Sequence, residues 1–161
     1  MSIRRILVAN RGEIAIRILR AADELGMATT AVYAPDDARC LHVARADDAH
    51  ALGGRGVAAY LDIDALIAAA RDHGCDAVHP GYGFLAESPR FAERLDAAGI
   101  AFIGPGAATL ELFGDKIRAR DFAKRCGVSV PEGTPVAIDA AGAKEFFKSI
   151  PGGAIVIKAV A

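Results

Sequence analysis

Residues 6–15 read Ile6-Leu7-Val8-Ala9-Asn10-Arg11-Gly12-Glu13-Ile14-Ala15. The opening run, Ile6 to Ala9, is wholly apolar, as a strand buried on both faces of a parallel sheet requires. Asn10-Arg11-Gly12 ends that run, and a helical period starts at Glu13. Ile14, Ile18, Ala21, Ala22 and Leu25 are assigned to one apolar helix face, and Gly26 supplies the stop. Strand, tight turn and amphipathic helix in immediate succession form the first half of a β-α-β unit.

The same rhythm continues outward from this stretch. Thr29 to Ala34 is a second apolar run, closed by Pro35-Asp36-Asp37. Ala38 to Ala46 is read as a short helix, Ala49 to Leu52 as a weak strand, and Gly53-Gly54-Arg55-Gly56 as a loop. Asp62 suits the N-cap of a helix that ends at Gly74. Cys75 to His79, Pro89 to Ala98 and Ile100 to Ile103 then read as strand, helix and strand. The alternation predicts an α/β fold, an open doubly wound parallel sheet, over roughly residues 3–104.

Beyond Gly104 the pattern changes. Ala107 to Phe113 and Lys116 to Cys126 read as successive helices divided by Gly114-Asp115. A Pro/Gly-rich passage leads to a helix from about Ala140 to Ser149. Ala154-Ile155-Val156-Ile157-Lys158 is read as a strand with a lysine at its tip. The expected division is therefore 1–104, 105–130 and 131–161.

Composition narrows the function classes. The chain has 161 residues, 53% of them hydrophobic, enough for a packed core. Nineteen Lys/Arg against twenty Asp/Glu leave a net charge of -1, which argues against a nucleic-acid partner. No apolar run reaches the ~18 residues that span a bilayer, so no membrane role is expected. Met1 to Arg5 lacks the apolar region of a leader. Cys40, Cys75 and Cys126 are odd in number and widely spaced, so the expected compartment is the cytoplasm. His42, His50, His73 and His79 show no metal-ligand spacing, and no metal site is assigned.

Ligands of open α/β sheets bind at the carboxyl ends of strands, so loops that follow strands hold the candidate chemistry. Asn10-Arg11-Gly12-Glu13 has one glycine where a dinucleotide fingerprint needs three, and reads as a capping turn with an exposed arginine. His79-Pro80-Gly81-Tyr82-Gly83-Phe84-Leu85-Ala86-Glu87-Ser88 gathers an imidazole, a phenol and a carboxylate beside two glycines. It suits either a small-substrate site or a tight turn with Tyr82 and Phe84 packed inward. Lys116 opens a helix capped by Asp115, a position that favours phosphate, but the P-loop pattern is absent and a solvated lysine is the local alternative. Lys158 follows three β-branched residues, where burial would demand an anion, unless it faces water on an edge strand.

Taken together, these segments resemble the N-terminal part of the biotin carboxylase family, the ATP-dependent component of acetyl-CoA, propionyl-CoA and pyruvate carboxylases. The resemblance rests on Ile6 to Ala15 with Arg17-Ile18-Leu19-Arg20, on His79 to Ser88, on Phe102-Ile103-Gly104-Pro105, on Gly114-Asp115-Lys116 and on Val156-Ile157-Lys158-Ala159. These come in the family's order and spacing over essentially the whole chain. The resemblance implies a pre-ATP-grasp domain at 1–104, a helical connection at 105–130, and the incomplete start of the ATP-grasp lid at 131–161. It implies ATP contacts for Lys116 and Lys158. It places Tyr82, Gly83 and Glu87 in the wall of the bicarbonate and biotin site. Arg17, Arg20 and Glu24 on the first helix would contribute to a homodimer; an i, i+4 ion pair on a solvated face is their bland alternative.

The implied reaction is a ligation, in which ATP phosphorylates bicarbonate to carboxyphosphate and the CO2 released is taken up by N1′ of biotin on a carrier protein. Mg2+ bridges the phosphates. The implied partners are a biotin carboxyl carrier and a carboxyltransferase. The family's glycine run after the Lys158-Ala159 position, its magnesium carboxylates and its general base are not among these 161 residues. The chain alone is accordingly expected to be inactive. Two other readings compete, a non-catalytic assembly or dimerisation module and the front domain of another ATP-grasp ligase.

Overall fold

The computed structural model describes residues 2–150 and 152–158. They gather into two compact units, one reaching to Leu110 and the other starting at Glu111. The first is built on five strands, β1 (Arg5–Val8), β2 (Ala28–Tyr33), β3 (Asp48–Ala51), β4 (Ala77–His79) and β5 (Ala101–Phe102). All pairings are parallel, in the order β3-β2-β1-β4-β5. The doubly wound sheet expected from the alternation is the one observed.

Helices α1 (Gly12–Glu24), α2 (Leu41–Arg45), α3 (Gly56–Ala59), α4 (Ile63–Asp72) and α5 (Pro89–Ala97) connect the strands. β1 is the central strand, with Leu7 opposite Thr30 of β2 and opposite Val78 of β4. Its side chains alternate between faces. Ile6 and Val8 pack with Ala22, Ala15 and Leu19 of α1, whereas Leu7 and Ala9 join Leu66, Ala69, Phe91 and Leu95 from α4 and α5. A strand clothed on both faces must be apolar throughout, which explains the unbroken run in the sequence.

Several local expectations are corrected. The buried stripe of α1 is Ala15, Leu19 and Ala22, one position off the face assigned from sequence, and Leu25 is 74% exposed. Alanine on the inner stripe lets the helix lie close to β1, while Ile14 turns toward Gly81. Pro35–Asp37 forms a 3-10 turn, so the helix read at 38–46 shrinks to α2. Gly56, read as loop, begins α3, because Asp36 accepts its N–H. Asp62 caps α4 as read, and Ser88 likewise caps α5.

In the second unit, α6 (Ala107–Gly114) enters from the first, followed by α7 (Lys116–Arg125) and α8 (Ala140–Ser149). Phe113 meets Phe122 edge to face, and Arg120 donates to the carbonyls of Pro131 and Thr134. Residues 154–158 form no strand, contrary to the sequence reading. A strand needs a hydrogen-bonded neighbour. Here Ile155 and Ile157 instead line a 390 Å3 groove with Ala143, Lys144 and Phe147 of α8. The neighbouring Ala159 lies outside the described residues. No helix among the described residues is long and apolar enough to cross a membrane.

Candidate functional site

The strand order reverses at β1. The chain proceeds from β1 to β2 and β3 on one side, then crosses to β4 and β5 on the other. Loops leaving the carboxyl ends of β1 and β4 therefore lead to helices on opposite faces of the sheet, and such a switch point is the usual ligand position in open α/β sheets. Those loops are Ala9–Arg11 and Pro80–Ser88, two of the segments that carry the sequence resemblance.

Asn10 joins them. Its side chain is buried, and Nδ2 donates to the carbonyls of Pro80 at 2.7 Å and Tyr82 at 3.1 Å. Its Oδ1 accepts the Arg11 N–H at 2.9 Å. Gly81 has φ +69°, and a Cβ there would lie 2.6 Å from Cγ2 of Ile14 and 2.8 Å from Nδ2 of Asn10. Only glycine fits both that backbone conformation and that approach. The Gly81 N–H donates to Nδ1 of His79 at 3.0 Å, which requires that nitrogen to be unprotonated. Burial lowers the His79 pKa in keeping with this role.

Beyond Gly81 the loop turns outward. Tyr82 is 65% exposed, with its hydroxyl 3.5 Å from Oε2 of Glu13 on α1. Gly83 is left-handed, and Glu87 is exposed just ahead of the Ser88 cap. The inward packing weighed for Tyr82 does not occur. Of the two aromatic residues Phe84 turns in, where its ring stacks on Tyr60 with centroids 5.4 Å apart and planes 8° from parallel. Tyr82, Gly83 and Glu87 thus share one loop at this switch point. Lys116 and Lys158 lie in the second unit, both exposed.

Arg11 corrects the expectation of an exposed turn residue: it is a half-buried clamp. Its Nη1 donates to Oδ2 of Asp37 at 3.0 Å, and its guanidinium lies 5.6 Å from the Tyr60 ring centroid and 6.0 Å from that of Phe84. The Tyr60 hydroxyl donates to the same carboxylate oxygen at 2.7 Å and accepts the Ala34 N–H. Burial alone would raise the Asp37 pKa, but the hydrogen bonds from Tyr60 and Arg11 outweigh it and hold the carboxyl below its ordinary value. Burial and the bond to Asp37 push the Tyr60 phenol up, so Asp37 stays ionised and Tyr60 neutral. Sequence spacing gave no sign of this cluster, whose members come from three separate loops. The one available cue was the turn Pro35-Asp36-Asp37 at a strand's carboxyl end.

Asp115 caps α7 by accepting the N–H groups of Ile117 and Arg118. The Arg118 N–H leads in lowering its pKa, with the Ile117 N–H assisting. The carboxylate occupies those amides, so the Lys116 ammonium, not the helix terminus, is what α7 offers an anion. His50 Nδ1 and His73 Nε2 face each other at 3.2 Å. No group of three His, Cys, Asp or Glu among the described residues could hold a metal ion, so no step through Mg2+ follows from these side chains.

Comparison with known proteins agrees with this geometry. The family model for the biotin carboxylase N-terminal domain matches residues 2–110. Pyruvate carboxylase of Aspergillus niger is 45% identical over 163 residues, covering 99% of this chain and 14% of that protein. The Bacillus subtilis pyruvate carboxylase is 46% identical over 160 residues, covering 98% and 14%. The chain thus spans 14% of the length of these relatives. Among solved structures, the biotin carboxylase domain of a single-chain bacterial carboxylase has 54% identity and a TM-score of 0.86. That match covers 91% of this chain and 34% of the other. The biotin carboxylase domain dimer of Hydrogenobacter thermophilus 2-oxoglutarate carboxylase, solved with MgADP, ADP and bicarbonate, has 41% identity and a TM-score of 0.87. It covers 93% of this chain and 33% of its own. The sheet, the two loops joined by Asn10 and these matches agree: the chain belongs to the biotin carboxylase N-terminal domain family.

Proposed function

We propose that these residues form the front part of an ATP- and bicarbonate-dependent biotin carboxylase, and that the loop from His79 to Ser88 walls its substrate site. The observation that carries this reading is the pair of hydrogen bonds from buried Asn10 to the Pro80 and Tyr82 carbonyls. They fix the loop backbone at the switch point while leaving the Tyr82 ring and the Glu87 carboxylate exposed to solvent. Tyr82 offers a hydroxyl to bicarbonate or to the ureido group of biotin, and left-handed Gly83 lets the backbone come close to either.

On this reading residues 1–104 are the pre-ATP-grasp domain, 105–130 a connection, and 131–161 the opening of the ATP-grasp lid. The exposed ammonium groups of Lys116 and Lys158 suit the phosphates of ATP, which supplies the phosphoryl group for bicarbonate. Biotin would arrive on a carrier protein, and the product would pass to a carboxyltransferase. Arg17, Arg20 and Glu24 are all exposed on α1 and suit a homodimer contact. Free Cys40, Cys75 and Cys126 support a reducing cytoplasm.

The test is a chimaera that joins these 161 residues to the remaining part of a biotin carboxylase domain. ADP formation that depends on both bicarbonate and biotin is expected from the chimaera and not from the 161 residues alone. Lys116→Met and Lys158→Met are each expected to raise KM for ATP about tenfold, and Tyr82→Phe to lower kcat/KM for biotin. A chimaera that folds and forms no bicarbonate-dependent ADP refutes the proposal.

A further inference from the structure

Phe84 is the one non-glycine residue with positive φ, +46°, among the described residues. L side chains rarely adopt that conformation, so neighbouring structure must enforce it. What faces Phe84 is buried and hydrogen-bonded. Tyr60 is fully buried, and its hydroxyl is held at both ends, by the Asp37 carboxylate and the Ala34 N–H. Arg11 lies over both rings and is itself tied to Asp37.

We infer that Arg11, Asp37 and Tyr60 act as positioning residues that lock the left-handed backbone at Phe84 and so set the exposed edge of the loop at Tyr82 and Gly83. The inference rests on the proposed role of that loop in the substrate site. The loop is held twice. Asn10 grips its first half through the Pro80 and Tyr82 carbonyls, and the stack on Tyr60 grips its second half through Phe84. Between the grips the side-chain positions of Tyr82 and Gly83 face outward, the Tyr82 ring exposed and nothing within 4 Å of a Cβ at Gly83. Two short turns, Ala86 N–H to the Gly83 carbonyl and Ser88 N–H to the Leu85 carbonyl, pass the constraint on to the start of α5. Arg11 and Asn10 are adjacent, so one turn after β1 supports both grips. A fixed backbone with outward-facing polar groups is the arrangement that preorganises a binding surface.

The test is amide hydrogen exchange on the 161-residue chain carrying Arg11→Met or Phe84→Gly. The first removes the ion pair and the planar cation while keeping an unbranched side chain. The second removes the ring and relieves the backbone. Each is expected to speed exchange at the Ala86 and Ser88 amides about tenfold, with the sheet amides of Ala9 and Ile103 unchanged. Exchange at Ala86 and Ser88 that stays as in the unsubstituted chain in either variant overturns the inference. So does an equal rise at Ala9 and Ile103, which would mean general loosening. In the chimaera, Arg11→Met is expected to raise KM for free biotin about fivefold, with a smaller change in kcat; an unmoved KM overturns the link to the site. An unsubstituted chimaera without bicarbonate-dependent ADP formation strikes at the site reading, whereas exchange in the 161-residue chain tests the clamp separately.

Discussion

The side-chain amide of Asn10 donates to the backbone carbonyl of Pro80 at 2.7 Å across 70 positions of sequence. With the bond to the Tyr82 carbonyl and the acceptance of the Arg11 N–H, one buried side chain satisfies three backbone groups at the junction of β1 and β4. Asn10→Ala removes the partner of all three, and a buried polar group left unpaired costs about 1–3 kcal/mol. Urea denaturation is expected to show a loss of at least that size. Asn10→Asp turns a donor into a charged acceptor facing two carbonyls, and is expected to cost more than alanine.

Gly81 and Gly83 separate two reasons for glycine. Both have positive φ, but a Cβ at Gly81 strikes Ile14 and Asn10, whereas at Gly83 it meets nothing within 4 Å. Gly83→Ala is expected to cost about 1–2 kcal/mol, the left-handed penalty alone. Gly81→Ala adds overpacking, for about 2–4 kcal/mol in all. Ile14→Ala should recover part of the difference in Gly81→Ala and none in Gly83→Ala, a coupling that a double-mutant cycle measures directly.

What the sequence disclosed follows from locality. The apolar run at β1, the caps Asp62 and Asp115, and the helix at 140–149 are set by neighbours a few positions apart, and the structure keeps them. The Arg11–Asp37–Tyr60 cluster joins residues from three loops, so no window on the sequence contains it. The stripe of α1 departs from its periodicity because periodicity weighs Ile14 and Ile18 above Ala15, while close packing on β1 favours the smaller residue. The run at 154–158 has the composition of a strand, but strand formation depends on a partner that composition does not supply.

Acid should weaken the fold first through histidine. His42 is fully buried in α2, and burial lowers its pKa. His79 is lowered by the same cause. The unfolded chain takes up protons near pH 6.5, where the folded one resists them. Stability is therefore fully present above about pH 6.5 and declines as pH falls below it, toward the lower folded values. Urea midpoints are expected to drop between pH 7.5 and 5.5, both conditions chosen to bracket about 6.5. His42→Leu replaces the buried imidazole with an apolar side chain of similar size. It is expected to keep stability at the higher pH within about 1 kcal/mol and to flatten the decline. A midpoint as pH-dependent as that of the unsubstituted chain would remove His42 from this account.

Arg20 and Glu24 test the proposed dimer without disturbing the core. Nε of Arg20 lies 2.9 Å from Oε1 of Glu24, and the two side chains are 80% and 63% exposed. An exposed i, i+4 pair contributes only about 0.3–0.5 kcal/mol. Arg20→Glu also adds like-charge repulsion of similar size. Together they predict a loss of no more than about 1 kcal/mol in the stability of a single copy. If α1 mediates association of two copies, the same substitution places like charges across the contact, where the penalty reaches several kcal/mol. Sedimentation of the chimaera should then shift from dimer to monomer while its thermal midpoint barely moves. Arg20→Lys keeps the charge and is expected to retain association. A dimer that persists in Arg20→Glu would mean that the contact lies on another face, and that this ion pair serves only α1.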